Sequence, residues 1–99
     1  MTRSHNDLTP AIPVHPGEIL KEALEEHGMT QRALAEKVGR PVQLINSIVN
    51  GHKGITADTA LDLADAFGTS AEFWLNLDSY YRLNLARRKR QESRERKVG

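Results

Sequence analysis

The chain has 99 residues, which is enough for one domain with a single modest core and too few for two. It contains no cysteine, which excludes a disulfide framework and a thiolate metal site, and its net charge is only +1. No apolar run approaches the ~20 residues of a membrane span, and residues 1–16 lack the apolar core of a signal peptide, so we expect a cytoplasmic protein.

The small net charge conceals four blocks of alternating sign. Residues 1–29 carry a net charge of −3 and residues 56–86 carry −4, whereas residues 30–55 carry +3 and residues 87–99 carry +5. An anionic partner is therefore expected at the basic middle of the chain.

Hydrophobic periodicity and capping residues predict an all-α fold of five helices. A polar, proline-containing segment at residues 1–14 has no helical period, and we expect it to form a flexible arm. Helix one follows in residues 15–28 and helix two in residues 30–39, with Thr30 as the candidate cap. Helix three is the short run GRPVQLINSIVNG between Gly39 and Gly51.

Two further helices are predicted in the second half of the chain. Thr56 is placed to cap helix four, which ends at Gly68. The inward residues of helix four are expected to be Ala60, Leu61, Leu63, Ala64 and Phe67. Helix five starts after Thr69 or Ser70 and contains a broad aromatic and aliphatic face. The domain is expected to span residues 15–86, and residues 87–99 form a basic tail.

Helices two and three match the pattern of a helix-turn-helix. Two helices that cross steeply through a short turn need a small residue at their contact, a glycine in the turn and branched apolar residues beneath the second helix. Counted from Gln31 as the first position, Ala35 is the small residue, Gly39 is the turn glycine, and Ile45 and Ile48 are the branched residues. All four matches lie inside the positively charged block.

The polar residues of helix three then have a predicted role in DNA recognition. Because Ile45 and Ile48 face the core, the helical period places the polar side chains on the opposite side. Asn and Gln can pair with adenine in the major groove, Ser can contact either base edge, and Val can pack on a thymine methyl group. Basic and amide side chains around the helix would contact phosphates. The predicted DNA-binding set is Gln31, Arg32, Arg40, Val42, Gln43, Asn46, Ser47, Asn50, His52 and Lys53.

The sequence resembles the HigA-type antitoxins of bacterial toxin-antitoxin modules, which form a branch of the repressor family that shares the phage-repressor helix-turn-helix. The resemblance covers about residues 14–81, and its most specific parts are HPGEIL, the pattern NGxxxIT from Asn50 to Thr56, and AFGTSAEFWLNL. It implies a homodimer that binds a palindromic operator in its own promoter and neutralises a HigB-type toxin that cleaves messenger RNA. One departure is Pro41, where the family more often has Ser or Thr as the cap of the recognition helix.

Two protein-contact surfaces are also predicted. Helix five presents more apolar surface than one small core can bury, so a dimer interface is expected there, at Phe73, Trp74, Leu77, Tyr80 and Tyr81. The resemblance implies a basic toxin, which favours an acidic contact surface. Glutamates recur along one face of helix one, and the predicted toxin contact is Glu18, Glu22, Glu25 and Glu26, with helix four's aspartates as the alternative.

Other classes of function fit the sequence less well. An enzyme is disfavoured because the histidines have no metal-ligand spacing and no glycine-rich phosphate loop is present, so neither a cofactor nor a metal is expected. The closest alternative is a stand-alone DNA-binding repressor without a toxin partner. A scaffold whose helix-turn-helix no longer binds DNA is disfavoured by Gln43 and Asn46 on a basic segment.

Overall fold

A computed structural model describes residues 13–98, with side chains to residue 95, and these residues form five α-helices and no strand. Most of the predicted arm, residues 1–12, lies outside the described residues. The helices are α1 (Pro16–Glu26), α2 (Gln31–Val38), α3 (Val42–Val49), α4 (Ala57–Phe67) and α5 (Ala71–Val98). In the described part of the chain, none of the helices is both long and apolar enough to cross a membrane.

The predicted caps are present at the helix ends. The Thr30 hydroxyl accepts a hydrogen bond from the Ala33 amide at 3.0 Å, and Thr56 caps α4 in the same way. Pro41 occupies the cap position of α3 and makes no side-chain cap bond. Gly39 adopts φ +73° at the turn between α2 and α3, a conformation that other residues adopt only with strain. The short helices therefore end where the sequence predicts.

The core lies where α1, α4 and α5 surround the buried sides of α2 and α3. Its fully buried members include Leu20 of α1, Leu34 of α2, Ile48 of α3 and Leu63 of α4. Leu61, predicted to face inward, is instead 57% exposed, because it shares the solvent side of α4 with Asp58 and Asp65 at i−3 and i+4.

Helix α5 divides into a packed part and a projecting part. Trp74 is 1% exposed and donates its indole N–H to the Thr69 hydroxyl at 2.7 Å, so it belongs to the core of this chain rather than to a surface for a second subunit. The sequence left the backbone of the basic tail undecided, and the structure continues α5 through it to Val98. A 28-residue helix is ~42 Å long, and residues 86–95 in its last part are exposed without interruption.

Candidate nucleic-acid interface

Helices α2 and α3 form the predicted helix-turn-helix. Ala35 is buried at their contact, and Ile45 and Ile48 are buried beneath α3, which leaves the other side of α3 facing solvent. Helix α1 supports α3 from behind through Gly17, since a Cβ atom there would overlap the carbonyl oxygen of Ile48. The backbones of α1 and α3 therefore touch, and this explains structurally why glycine follows proline in HPGEIL.

A row of hydrogen-bonded amides crosses the exposed side of the motif. The Asn46 side-chain NH2 group donates to the Gln31 side-chain oxygen at 3.1 Å, and Asn50 donates to the Asn46 oxygen at 3.1 Å. Each amide retains at least one donor hydrogen and at least one oxygen lone pair for a further partner. Both NH2 hydrogens of Gln31 remain for an acceptor such as a phosphate oxygen. The row links the first residue of α2 to the end of α3 and orients the amides before any ligand is present.

The loop after α3 carries basic side chains and is fixed to the helix by backbone bonds. The Ser47 carbonyl accepts hydrogen bonds from the amides of His52 at 2.8 Å and Lys53 at 3.2 Å. Both of these side chains are exposed. Gly51 supplies the turn with φ +81°. The backbone of His52 and Lys53 is thus fixed to the end of α3, and their exposed side chains extend from that position.

Two carboxylates that were not predicted as part of the site hold its periphery in place. Asp62 of α4 accepts from the Arg40 Nε at 2.7 Å, which ties the turn between α2 and α3 to the neighbouring helix. Asp78 is 7% exposed and accepts from the Ile55 amide at 3.0 Å and from the Arg82 Nε at 2.7 Å. The sequence offered no signal for either pair, because the bonded residues Arg40 and Asp62 are 22 positions apart and Ile55 and Asp78 are 23 apart.

His15 connects the start of α1 to α5. Its Nδ1 accepts the Gly17 amide at 2.9 Å as the cap of α1, and its ring meets Tyr81 edge-on at 4.8 Å. Burial lowers the pKa of His15 below its usual value, and the nearby carboxylates of Asp78 and Glu18 only partly oppose this. A neutral ring is also what the cap requires, because Nδ1 must be free of a proton to accept a hydrogen bond.

The structure brings several of the predicted DNA-binding residues together: Gln31, Asn46 and Asn50 through hydrogen bonds, and Arg40 and Lys53 along one cleft. Three short segments bring them together: the start of α2, the outer side of α3, and the loop that follows. The exposed members are Arg32, Arg40, Gln43, Asn46, Asn50, His52 and Lys53, and the half-buried members are Gln31, Val42 and Ser47. Within the described residues, no group of three or more His, Asp or Glu side chains is placed to hold a metal ion.

The predicted dimer residues separate into two groups. Leu77 and Tyr81 are half-buried against the same chain, as Trp74 is fully, whereas Phe73 and Tyr80 are exposed, Tyr80 to 68%. Leu83, which was not in the predicted set, is 45% exposed. Tyr80 lies seven residues after Phe73 and Leu83 three residues further, so the three form one stripe along α5.

The predicted toxin contact lies beside an apolar cavity. All four glutamates of α1, Glu18, Glu22, Glu25 and Glu26, are exposed. A cavity of about 150 Å³ opens next to them between α1 and the junction of α4 with α5. Its walls are Ile19, Glu22, Ala23, Glu26, His27, Phe67, Thr69, Phe73 and Trp74. The surface therefore combines an aromatic floor with a carboxylate rim, a combination that the charge pattern alone did not reveal.

Comparison with known proteins agrees with this geometry. Residues 20–74 match the family described as helix-turn-helix. The chain is 46% identical over 83 residues to virulence-associated protein I of Dichelobacter nodosus, covering 83% of this chain and 75% of the relative. It is 42% identical over 85 residues to antitoxin HigA-1 of Vibrio cholerae, covering 85% and 80% respectively. The solved structure of the Pseudomonas aeruginosa antitoxin HigA with the higBA promoter superposes with a TM-score of 0.78 at 39% identity, covering 89% of this chain and 97% of that one.

Proposed function

This chain belongs to the helix-turn-helix family, in the branch of the HigA antitoxins, and on that premise we propose how it performs the antitoxin and autorepressor functions of that branch. It binds operator DNA with α3 in the major groove, and it neutralises a HigB-type toxin through a separate surface. The observation that carries the first part is the amide row of Gln31, Asn46 and Asn50 on the exposed side of α3. A binding protein of this kind has no catalytic role and works in the cytoplasm, where its DNA is.

In this proposal the position of each amide determines whether it contacts a base or a phosphate. Gln43 and Asn46 lie on the part of α3 that enters the groove and hydrogen-bond base edges. Gln31 and Asn50 flank them, and their NH2 groups donate to phosphate oxygens on either side of the groove. Because Asn46 is already held by Gln31 and Asn50, it loses little side-chain freedom when DNA binds, which lowers the entropy cost of the contact.

Single alanine substitutions at Gln43 and Asn46 test the DNA contact. Each should weaken binding to the operator by ~1 to 3 kcal/mol, or about 5- to 150-fold, and leave binding to unrelated DNA unchanged. Gln91→Ala, at an exposed amide of α5 outside the proposed dimer stripe, is the matched control and should bind as the parent does. If both variants of α3 bind the operator as tightly as the parent at equal salt, α3 is not the recognition helix.

The dimer is proposed to form through the exposed stripe Phe73, Tyr80 and Leu83 of α5. Two half-sites one helical turn apart require recognition helices ~34 Å apart, and a self-complementary interface fixes that spacing. Large apolar side chains at an exposed position need a partner to leave water. Tyr80→Arg should convert the dimer to a monomer in sedimentation, whereas Leu61→Arg, at another exposed large apolar residue, on α4, should not. If the Tyr80→Arg variant stays dimeric, the interface lies on another surface.

The toxin is proposed to bind the acidic face of α1. The glutamates steer a basic partner, and the neighbouring cavity between α1 and the α4–α5 junction accepts an apolar or long aliphatic side chain, which supplies affinity. The alternative contact surface on α4 is less favoured, because Asp62 already forms an ion pair with Arg40 and is less available to a basic partner.

Charge reversal distinguishes the two surfaces. Glu22, Glu25 and Glu26 changed together to lysine should slow association with a HigB-type toxin at low salt and have less effect at high salt. Asp58→Lys with Asp65→Lys on α4 is the matched control. An unchanged association rate for the α1 variant would exclude α1 as the contact, and a slower rate for the α4 variant alone would assign the contact to α4.

A further inference from the structure

Arg82 of α5 is a basic residue beside the recognition motif that the proposed function does not use. It lines a cleft of about 330 Å³ together with Arg40 of the turn between α2 and α3 and Lys53 of the loop after α3. Leu44 of α3, Gly54 and the start of α4 complete the walls. Because Arg40 and Lys53 belong to the predicted DNA-binding set, the cleft places Arg82 next to the surface that is proposed to meet DNA.

Two contacts hold the Arg82 guanidinium group in place. Its Nε donates to Asp78 at 2.7 Å, and Asp78 also accepts the Ile55 amide at 3.0 Å. Its Nη2 lies against Gly54, where a Cβ atom would be only 2.8 Å away. Among the described residues Asp78 is its hydrogen-bond acceptor and uses one of the five N–H donors of a guanidinium group. The donors on Nη1 and Nη2 remain for a further acceptor, and they are oriented before any partner is present.

The accessible surface of the cleft is basic, although carboxylates lie nearby. The Arg82 side chain is 67% exposed and that of its partner Asp78 is 10% exposed. Arg40 is likewise more exposed than Asp62, its own ion-pair partner. An incoming anion therefore meets the guanidinium groups before it meets these carboxylates. Asp58 is the acidic residue that lines the cleft itself, and its charge opposes an anion there.

The cleft lies at the edge of α3 away from the amide row. Leu44 and Asn46 are two positions apart, so they project ~160° apart around α3, and Gln43 projects between them. Asn46 bonds Gln31 on one edge of the helix, whereas Leu44 lines the cleft on the other. A helix in the major groove has a phosphate backbone along each of its edges. Gln31 is thus placed for one backbone and Arg82 for the other.

We propose that Arg82 donates to a phosphate oxygen of the operator backbone, in the cleft that it shares with Arg40 and Lys53. This inference rests on the proposed operator binding by α3 and adds to it a phosphate contact from α5. Phosphate contacts carry no base preference, so Arg82 raises the affinity for operator and for unrelated DNA without altering which operator is chosen. The contact releases condensed counterions, and its contribution therefore falls as the salt concentration rises.

Salt titrations of operator binding test the proposal with Arg82→Gln and a matched control. The control is Arg88→Gln, at an exposed arginine that projects ~120° away from Arg82 around α5 and lies outside the proposed dimer stripe. Arg82→Gln should reduce the slope of log K against log salt by ~0.9 for each protomer, or ~1.8 for a dimer. The parent's affinity should then fall ~12-fold further than the variant's between about 50 and 200 mM salt. The control should stay closer to the parent's slope.

Two further substitutions separate a phosphate contact from a supporting role in the loop. Arg82→Lys keeps the charge but cannot repeat the planar guanidinium contact with Asp78, so it should retain most of the parent's slope. Asp58→Asn removes the opposing charge from the cleft and should tighten binding to both operator and unrelated DNA. Urea unfolding of each variant establishes that it is folded under the conditions of the titration.

Several results would overturn the proposal. Arg82→Gln could keep the parent's slope, or Arg88→Gln could lose as much, which would indicate general attraction to a basic helix. Arg82→Lys could lose as much slope as Arg82→Gln, which would mean that Arg82 acts by positioning the loop. Weaker or unchanged binding by Asp58→Asn would place the phosphate outside the cleft. A parent that shows no preference for the operator would overturn operator binding itself, whereas an unchanged slope for Arg82→Gln removes only this contact.

Discussion

Helix α3 and the last part of α5 both present polar side chains to solvent, yet the two helical segments are stabilised in opposite ways. Helix α3 has eight residues and no side-chain cap at its start, so it is too short to be stable alone. It is held by Ile45 and Ile48 in the core and by the backbone contact with Gly17. Residues 86–95 have no such support within the described chain and are helical as a continuation of α5.

This difference indicates which of the two segments can recognise specific bases. Base recognition needs side chains held within a fraction of an ångström, and only tertiary packing provides that for a two-turn helix. The exposed last part of α5 has no such packing within the described chain, so its side chains are not held to that precision. Substitutions that loosen α3 should therefore reduce operator recognition together with stability, whereas substitutions in the last part of α5 should not change stability.

Gly17→Ala should have the largest effect, because the new Cβ atom overlaps the Ile48 carbonyl and forces α1 away from α3. We expect a loss of ~3 kcal/mol or more in the free energy of unfolding, measured with urea, together with weaker operator binding. Gly28→Ala is the matched glycine control. Gly28 has φ +60° and open space around its Cβ position, so alanine should cost ~1 to 2 kcal/mol of strain and spare operator binding at temperatures where the chain is folded. Equal losses at both glycines would contradict the contact.

Asp78→Ala should have the next largest effect, because it leaves the buried Ile55 amide without its acceptor. The expected loss is ~1 to 3 kcal/mol in the free energy of unfolding. Asp78→Asn retains an oxygen that can accept the same hydrogen bond and should recover part of that loss. Asp65→Ala, at an exposed carboxylate of α4, should stay within ~0.5 kcal/mol of the parent. If Asp78→Ala also stays within that range, Asp78 does not anchor the loop.

His15 should make a smaller, pH-dependent contribution to the free energy of unfolding. Burial lowers the pKa of the folded-state imidazole, so the unfolded chain binds the proton more tightly. This contribution is complete above the unfolded pKa of about 6.5 and is lost as the pH falls through that value toward the lower folded pKa. His15→Asn keeps a cap for α1 and cannot titrate, so its stability should fall less than the parent's between pH 7.5 and 5.5. If the free energy of unfolding falls equally for both proteins over this pH range, His15 makes no such contribution.

Pro41→Ser should have the smallest effect and would make α3 less dependent on its neighbours. A serine hydroxyl at the cap adds ~1 kcal/mol, and loss of the rigid proline in the unfolded chain takes back ~0.4 to 1 kcal/mol. The net increase in the free energy of unfolding should be ~0 to 0.6 kcal/mol. Hydrogen exchange is the sharper measurement, because the amides of Gln43 and Leu44 should become more protected while those of α2 do not change. Unchanged protection at both amides would mean that the serine forms no cap.

The sequence by itself determined the helices, most of their ends and the position of the helix-turn-helix. These features depend on residues within one or two turns of each other, such as Thr30 with Ala33, or on a period that repeats along one helix. The polar residues of α3 could be assigned to the solvent side for the same reason, once Ile45 and Ile48 were placed in the core.

Only the tertiary structure decided which surfaces are occupied within the chain. The aromatic residues of α5 follow one helical period, yet Trp74 is buried in the core and Tyr80 is exposed, because the contact of α5 with α1 and α4 covers only part of its circumference. Asp78 and Asp62 look like ordinary solvated acids until their partners, more than 20 residues away, are brought next to them. A period gives the direction of a side chain from its own helix, whereas its neighbours depend on how the helices pack.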